Sequence, residues 1–209
     1  MFFKFAAPRL LFILLGIFVL FLSLTQANLE TVAIDNQTGD LKKDPVSITI
    51  VYRDGRIEET SYKFPEVNTL PTHPFYGFKK VRDWLWLTLT SGSFNKAKLI
   101  LLFADKKIAE SRLLFADNQS KAALEAAGEG VDQLQKAKTT LDSVVATSQN
   151  RNQLLDLKNE IFKAGFAYRQ VLESKGSTFD IDTQVYQEII KTLDDWNEAQ
   201  KTEKENQTE

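Results

Sequence analysis

From Phe75 to Trp196 apolar residues recur at three- and four-residue steps, and this period constrains the fold more than any other feature of the 209 residues. A helix with about 3.6 residues per turn gathers such positions on one face, and that face has to be covered. Phe78, Val81, Leu85 and Leu89 form the stripe of a first predicted helix, which begins near Phe75 and stops around Ser91-Gly92-Ser93. The run Trp84-Leu85-Trp86-Leu87-Thr88-Leu89-Thr90 also alternates as a strand would, but the stripe continues back to Phe78 and favours helix. Ala97, Leu101, Ala104, Ile108 and Phe115 stripe a second helix from about Asn95 to Ala116. A third follows from Ser120, with Leu124, Ala127, Val131, Leu134, Leu141 and Val145. Gly128 and Gly130 interrupt it at about 1 kcal/mol each relative to Ala, so a bend or loosening is expected there. The fourth, from about Asn152 to Ser174, uses Leu154, Leu157, Ile161, Ala164, Tyr168 and Val171 and ends at Lys175-Gly176. A fifth opens at Asp182 with Val185, Ile189, Leu193 and Trp196 on one side, and Glu198 to Glu209 is polar enough to fray. The expected fold is mainly α: an elongated antiparallel bundle of four to five helices over 70–200, followed by a polar tail at 201–209.

Ahead of the helices the period changes to two. Val46, Ile48, Ile50 and Tyr52 alternate with Ser47 and Thr49, Asp54-Gly55 supplies a turn that tolerates positive φ, and Ile57 to Phe64 returns. Residues 46–64 therefore read as a β-hairpin, which needs another element to lean on because two strands are marginal alone. Residues 28–45 lack periodicity and read as a linker.

At the start, Lys4 and Arg9 precede an apolar run from Leu10 to Leu24, and Thr25-Gln26-Ala27 offers small residues for cleavage. Residues 1–27 thus have the layout of a secretory signal peptide; as a helix the run rises roughly 22 Å, short of the ~30 Å hydrocarbon core unless flanking residues join it. An uncleaved membrane anchor and a buried core helix are the other readings. The first two place the rest of the chain across the cytoplasmic membrane, secreted or at the cell surface, or anchored by one N-terminal helix.

Lys and Arg total 26 against 28 Asp and Glu, so no basic excess points to nucleic acid, and removal of 1–27 takes the formal charge from −2 to −4. The chain has no cysteine and one histidine, which excludes disulfides, thiolate chemistry, cysteine-held metals and any site needing two histidines. An exported fold without disulfides must be held by packing, which suits a bacterial origin. His73, between Pro71 and Pro74, reads as a turn residue. Asp180 and Asp182 resemble the start of a calcium loop, but the pattern then meets Val185 and Lys191, so Asp182 reads as a helix cap. Asp194 and Asp195 point about 100° apart on a helix and read as a solvated face. Gly128-x-Gly130 lacks the lysine and strand of a phosphate loop. Trp84 and Trp86 diverge by about 200°, so both cannot enter one core seam; one is free for the hairpin, a membrane surface or a partner. With Phe75 and Tyr76 they form the expected interaction surface. No catalytic, cofactor-binding or metal-binding residues are assigned.

Two motifs carry a family resemblance. Leu70-Pro71-Thr72-His73-Pro74-Phe75-Tyr76-Gly77-Phe78-Lys79 and Ala104-Asp105-Lys106-Lys107-Ile108-Ala109-Glu110 resemble those of domain of unknown function 5667, a bacterial family, over about residues 70–145. The resemblance implies an extracytoplasmic helical module following a signal or membrane segment; some such domains are attached to anti-sigma-type proteins, and no catalytic residue is known for them. This chain departs in Gly128 and Gly130 and in its hairpin, and with 27 residues before the exported part no cytoplasmic sigma-binding domain is expected. The expectation is an exported, membrane-associated or secreted helical-bundle protein, acting as a non-catalytic interaction or structural module of the cell envelope. Its partner would be an envelope protein, or the membrane itself through an uncleaved 1–27. The alternative is an extracytoplasmic sensor or small-ligand domain; an enzyme built on carboxylates alone comes third.

Overall fold

The computed structural model describes residues 45–67, 69–71, 73–176 and 183–206. The expected signal or anchor at 1–27, all but the last residue of the linker, and Asp180 and Asp182 lie outside them. Strands β1 (Val46–Val51) and β2 (Ile57–Tyr62) are followed by helices α1 (Tyr76–Leu89), α2 (Ser93–Ala116), α3 (Ser120–Asp142), α4 (Arg151–Gly176) and α5 (Thr183–Asn206). The described residues are mainly helical, with an antiparallel two-stranded hairpin ahead of five helices. Among the described residues no helix is long and apolar enough to cross a membrane.

The hairpin pairs Val46 with Tyr62 through Val51 with Ile57. Its turn closes where Gly55 N–H donates to Tyr52 O at 3.1 Å and Tyr52 N–H to Arg56 O at 2.9 Å. Gly55 sits at φ 84°, a conformation that costs glycine little. Alternation turns Ile48, Ile50 and Tyr52 inward and Ser47, Thr49 and Val51 outward. β1 packs on α4, which gives the hairpin the support it needs. The last turns of α5 hold the tip: Glu205 Oε1 accepts from Arg53 N–H at 3.1 Å, and Lys204 Nζ donates to the Tyr52 hydroxyl at 3.0 Å.

Those bonds correct the expectation that the chain frays from Glu198. Lys201 and Lys204 place their ammonium groups 5.7 Å and 4.3 Å from the ring centres of Phe166 and Phe162, while Lys138 pairs with Glu203 at 3.1 Å. A polar sequence stays helical here because its lysine stems cover aromatic surface of α4.

α2 and α3, joined by three residues, pack along each other in opposite directions, with Lys107 meeting Glu129 and Ile108 meeting Gly130. The sharp exit from α2 is made by Asn118 at φ 57°. All five expected stripe positions of α2 and all six of α4 are buried. Gly128 and Gly130 do not interrupt α3. A Cβ on Gly130 would lie 2.9 Å from Ile108 Cδ1 and 3.3 Å from the Ala104 carbonyl oxygen, so this glycine lets the helices approach. Gly165 does the same between α4 and α5, where a Cβ would collide with the Trp196 ring. α3 ends at Asp142, short of the expected Val145, which is 80% exposed. Over its last turn Thr140 and Ser143 hydroxyls bond to the carbonyls of Lys136 and Thr140, an alternative to continued helix.

The largest departure is α1. Its expected core stripe, Phe78, Val81, Leu85 and Leu89, is entirely exposed.

Candidate functional site

At about 100° per residue, Tyr76, Asp83 and Leu87 share one side of α1, and the expected stripe lies opposite. The structure turns the first side inward: Tyr76 is buried, and Asp83 and Leu87 are half-buried. Phe75, Phe78, Val81, Trp84, Leu85, Trp86 and Leu89 remain between 44% and 72% exposed. Six large apolar side chains left outside on one short helix, with a seventh at its N-cap, exceed the scattered exposure usual for a folded surface. His73 stands in the turn before the helix, where its Nδ1 accepts from Phe75 N–H at 3.2 Å and its carbonyl from Tyr76 N–H at 2.9 Å.

What holds α1 in this orientation is polar. Glu110 of α2 is 0% exposed and accepts from the Tyr76 hydroxyl at 2.8 Å, and it is ion-paired with Lys79. Lys107 Nζ donates to the same hydroxyl at 2.5 Å, lies 3.4 Å from Glu110 and pairs with Glu129 of α3 at 2.5 Å. Burial, with Glu110 nearby, pushes the Tyr76 hydroxyl up to about 12. Burial disfavours charge on Lys107, but its bonds to Glu129 and Tyr76 outweigh that and raise its pKa. A buried carboxylate without its cations is costly, so Glu110 fixes the inward side of α1 by demanding Lys79 and Tyr76. The apolar stripe is turned outward as the consequence.

Between α1 and α2 lies an open groove of about 280 Å³, lined in part by Trp84, Leu87, Phe103, Lys80 and Lys106. Among the described residues no carboxylate lies within 4 Å of Lys80 or Lys106, and burial holds Lys106 below the usual lysine range. A second hollow, between α3, α4 and α5, is about 50 Å³ and has room for little more than water. Among the described residues no three His, Cys, Asp or Glu side chains converge as metal ligands.

Among the described residues Asp105 on α2 is the other buried acid. It accepts from the Tyr62 hydroxyl of β2 at 2.9 and 3.1 Å and from the Tyr168 hydroxyl of α4 at 2.8 Å. Burial raises its carboxyl to about 7, against the opposing pull of the two tyrosines and with Glu160 adding to the rise. It bridges three elements and lines neither of these two hollows.

Of the expected interaction residues, Phe75, Trp84 and Trp86 are on the surface, whereas Tyr76 is buried against Glu110. Asp194 binds Arg169 across α4 and α5, and Asp195 is exposed. The sequence placed Lys79, Lys107, Glu110 and Asp105 within the two family motifs but assigned none of them a role. The signal available was an acid inside an apolar stripe at Asp105; Glu110 falls on the opposite side of α2, where the stripe gives no notice of burial.

Residues 68–164 match the family model described as Domain of unknown function (DUF5667). The resemblance read from the two motifs is thereby shown, and it extends beyond residue 145 into α4. In space the two motifs meet, because Tyr76 and Lys79 of the first bind Glu110 of the second. No curated protein and no solved structure matches the chain.

Proposed function

We propose that the chain is a non-catalytic docking module of the cell envelope: an elongated antiparallel bundle, exported by residues 1–27, that offers the outward stripe of α1 to a partner. The observation that carries this reading is the combination of an exposed apolar helix face with a buried polar tether that orients it. A stripe exposed by weak packing would have no such fixed orientation. Asp105 and Glu110 both have tyrosine or lysine partners and bridge elements, a structural use of buried acids; Glu110 lies at the wall of the groove between α1 and α2, with its carboxylate taken up by Tyr76 and Lys79.

The absence of cysteine gives a direct test. Leu89→Cys labels the stripe, and Leu155→Cys labels an exposed position on α4. In intact expressing cells a membrane-impermeant maleimide should react at position 155 and be blocked at position 89, while both react in the purified protein. Reaction at 155 only after lysis would remove export, and equal reaction at 89 in cells and in solution would remove docking.

A second reading, a small-ligand module, is favoured by the groove beside Lys80 and Lys106, whose ammonium groups, with no carboxylate within 4 Å among the described residues, lie near Trp84 and Phe103 and suit an organic anion with an apolar body. A saturable thermal shift with decanoate, lost in Lys80→Gln/Lys106→Gln, supports it; no shift up to the millimolar range removes it.

A further inference from the structure

We propose that α1 docks on the interfacial layer of an anionic lipid bilayer. This names the partner of the docking face described above and rests on that reading. Three features of α1 distinguish a lipid surface from a protein groove or a second copy of the chain.

Charge is the first. Over Tyr76–Leu89 the charged residues are Lys79, Lys80, Arg82 and Asp83; with Lys79 held inward by Glu110, the surface of α1 keeps Lys80, Arg82 and Asp83, a net of one positive charge on a chain that is acidic as a whole. Arg82 stands within the apolar stripe, half-exposed, its guanidinium 5.2 Å from the Trp86 ring centre and 2.8 Å from Asp83. Packing two stripes together across a two-fold axis would bring two Arg82 side chains to one seam. An apolar protein groove would strip the same group of water. At the level of lipid headgroups it meets phosphate while its stem and Trp86 stay in the apolar layer.

The second is how polarity is distributed along the helix. All four charges fall in 79–83, and Trp84–Thr90 has none. In that half the Thr88 and Thr90 hydroxyls donate to the carbonyls of Trp84 and Trp86 at 2.9 and 2.7 Å, and Thr90 N–H also donates to Trp86 O. The end of α1 therefore carries few polar groups that need water, which is what a layer poor in water selects.

The third is residue type and length. Trp84 and Trp86 have an apolar body and one N–H donor, the chemistry that places tryptophan at membrane interfaces. Fourteen residues rise about 21 Å, so α1 lies on a bilayer and does not span it.

The test uses the full chain, labelled through Leu89→Cys or Leu155→Cys with an environment-sensitive nitrobenzoxadiazole group, on phosphatidylcholine vesicles with or without about 30% phosphatidylglycerol. Residues 1–27 recruit the chain to both, so the readout is local to the label and taken only on chain that floats with vesicles. At position 89 we expect emission to shift to the blue and gain about twofold or more on the anionic vesicles, with a smaller response on neutral ones and none at position 155. Arg82→Glu should cut the anionic response severalfold while circular dichroism stays unchanged. Equal responses on neutral and anionic vesicles overturn the choice of anionic lipid. An unchanged label at 89 on floating chain overturns lipid docking, and blocked maleimide reaction there in cells then leaves the docking reading standing with a protein partner. A blue shift that grows with protein concentration in the absence of vesicles assigns the face to a second copy and overturns the proposal.

Discussion

α1 and α2 are neighbours joined by three residues, and both carry apolar side chains at helical spacing, yet they use them in opposite ways. α2 has twelve buried residues, including Asp105 and Glu110. α1 has one, and it is a tyrosine bonded to Glu110. The difference teaches that period fixes which residues share a face but not what covers that face. In α2 and α3 the cover is another helix brought close by Gly130; in α1 a buried anion decides, by drawing the polar side inward.

The comparison can be broken most forcefully through Asp105, a charge on the buried side of it. Its folded carboxyl titrates near 7 and its unfolded one near 3.8, so the folded state keeps a proton that the unfolded state releases between those values. Its stabilising contribution is complete below about pH 4, declines as pH rises to 7 and is level above. The shift corresponds to at most about 4 kcal/mol. Asp105→Asn should accordingly gain stability relative to the parent between pH 4 and pH 7 in urea titrations. A parallel pair of curves would refute the assignment. Comparison with the parent is needed because Glu58, lowered by its bond from Tyr52, works in the opposite direction.

Next comes Ile108→Ala, which empties a fully buried site between α2 and α3 and should cost about 3 kcal/mol by chemical denaturation. Glu110→Gln addresses the tether: α1 should open more readily, with its amide exchange about tenfold faster, the equivalent of about 1.4 kcal/mol, while α3 and α4 change little. Global destabilisation of all helices alike would show that α1 is not held separately. Gly130→Ala should lower the melting temperature by the equivalent of about 1 kcal/mol, since overpacking against Ile108 exceeds the gain in helix propensity. Leu89→Ala, the counterpart of Ile108→Ala on the outward stripe, should change stability by less than about 0.5 kcal/mol. A cost near that of Ile108→Ala would mean the stripe is covered in the free protein.

These contrasts also mark where the sequence was readable. The hairpin turn was legible because Asp54-Gly55 has a local cause, and α4 because every stripe position found a neighbour. The depth of Gly130 was not, because a missing side chain signals a helix breaker and a close contact alike. Nor was the helical end of α5, where Lys201 and Lys204 owe their order to phenylalanines about forty residues earlier. The burial of α1 was only partly legible: Phe75, Trp84 and Trp86 are exposed, and Tyr76 is not, because its partner Glu110 lies 34 residues away.

The clasp between the hairpin tip and α5 has a further consequence, in time. Arg53 and Glu205 are 152 residues apart. A chain that emerges amino end first shows the apolar side of its hairpin, Ile48, Ile50 and Tyr52, long before α4 and α5 exist to cover it. α2 and α3, joined by three residues, can pair as soon as both have appeared. The hairpin thus emerges ahead of the helices and is secured after them, and a chain stalled before Lys204 leaves its tip without the bonds from Lys204 and Glu205 of α5.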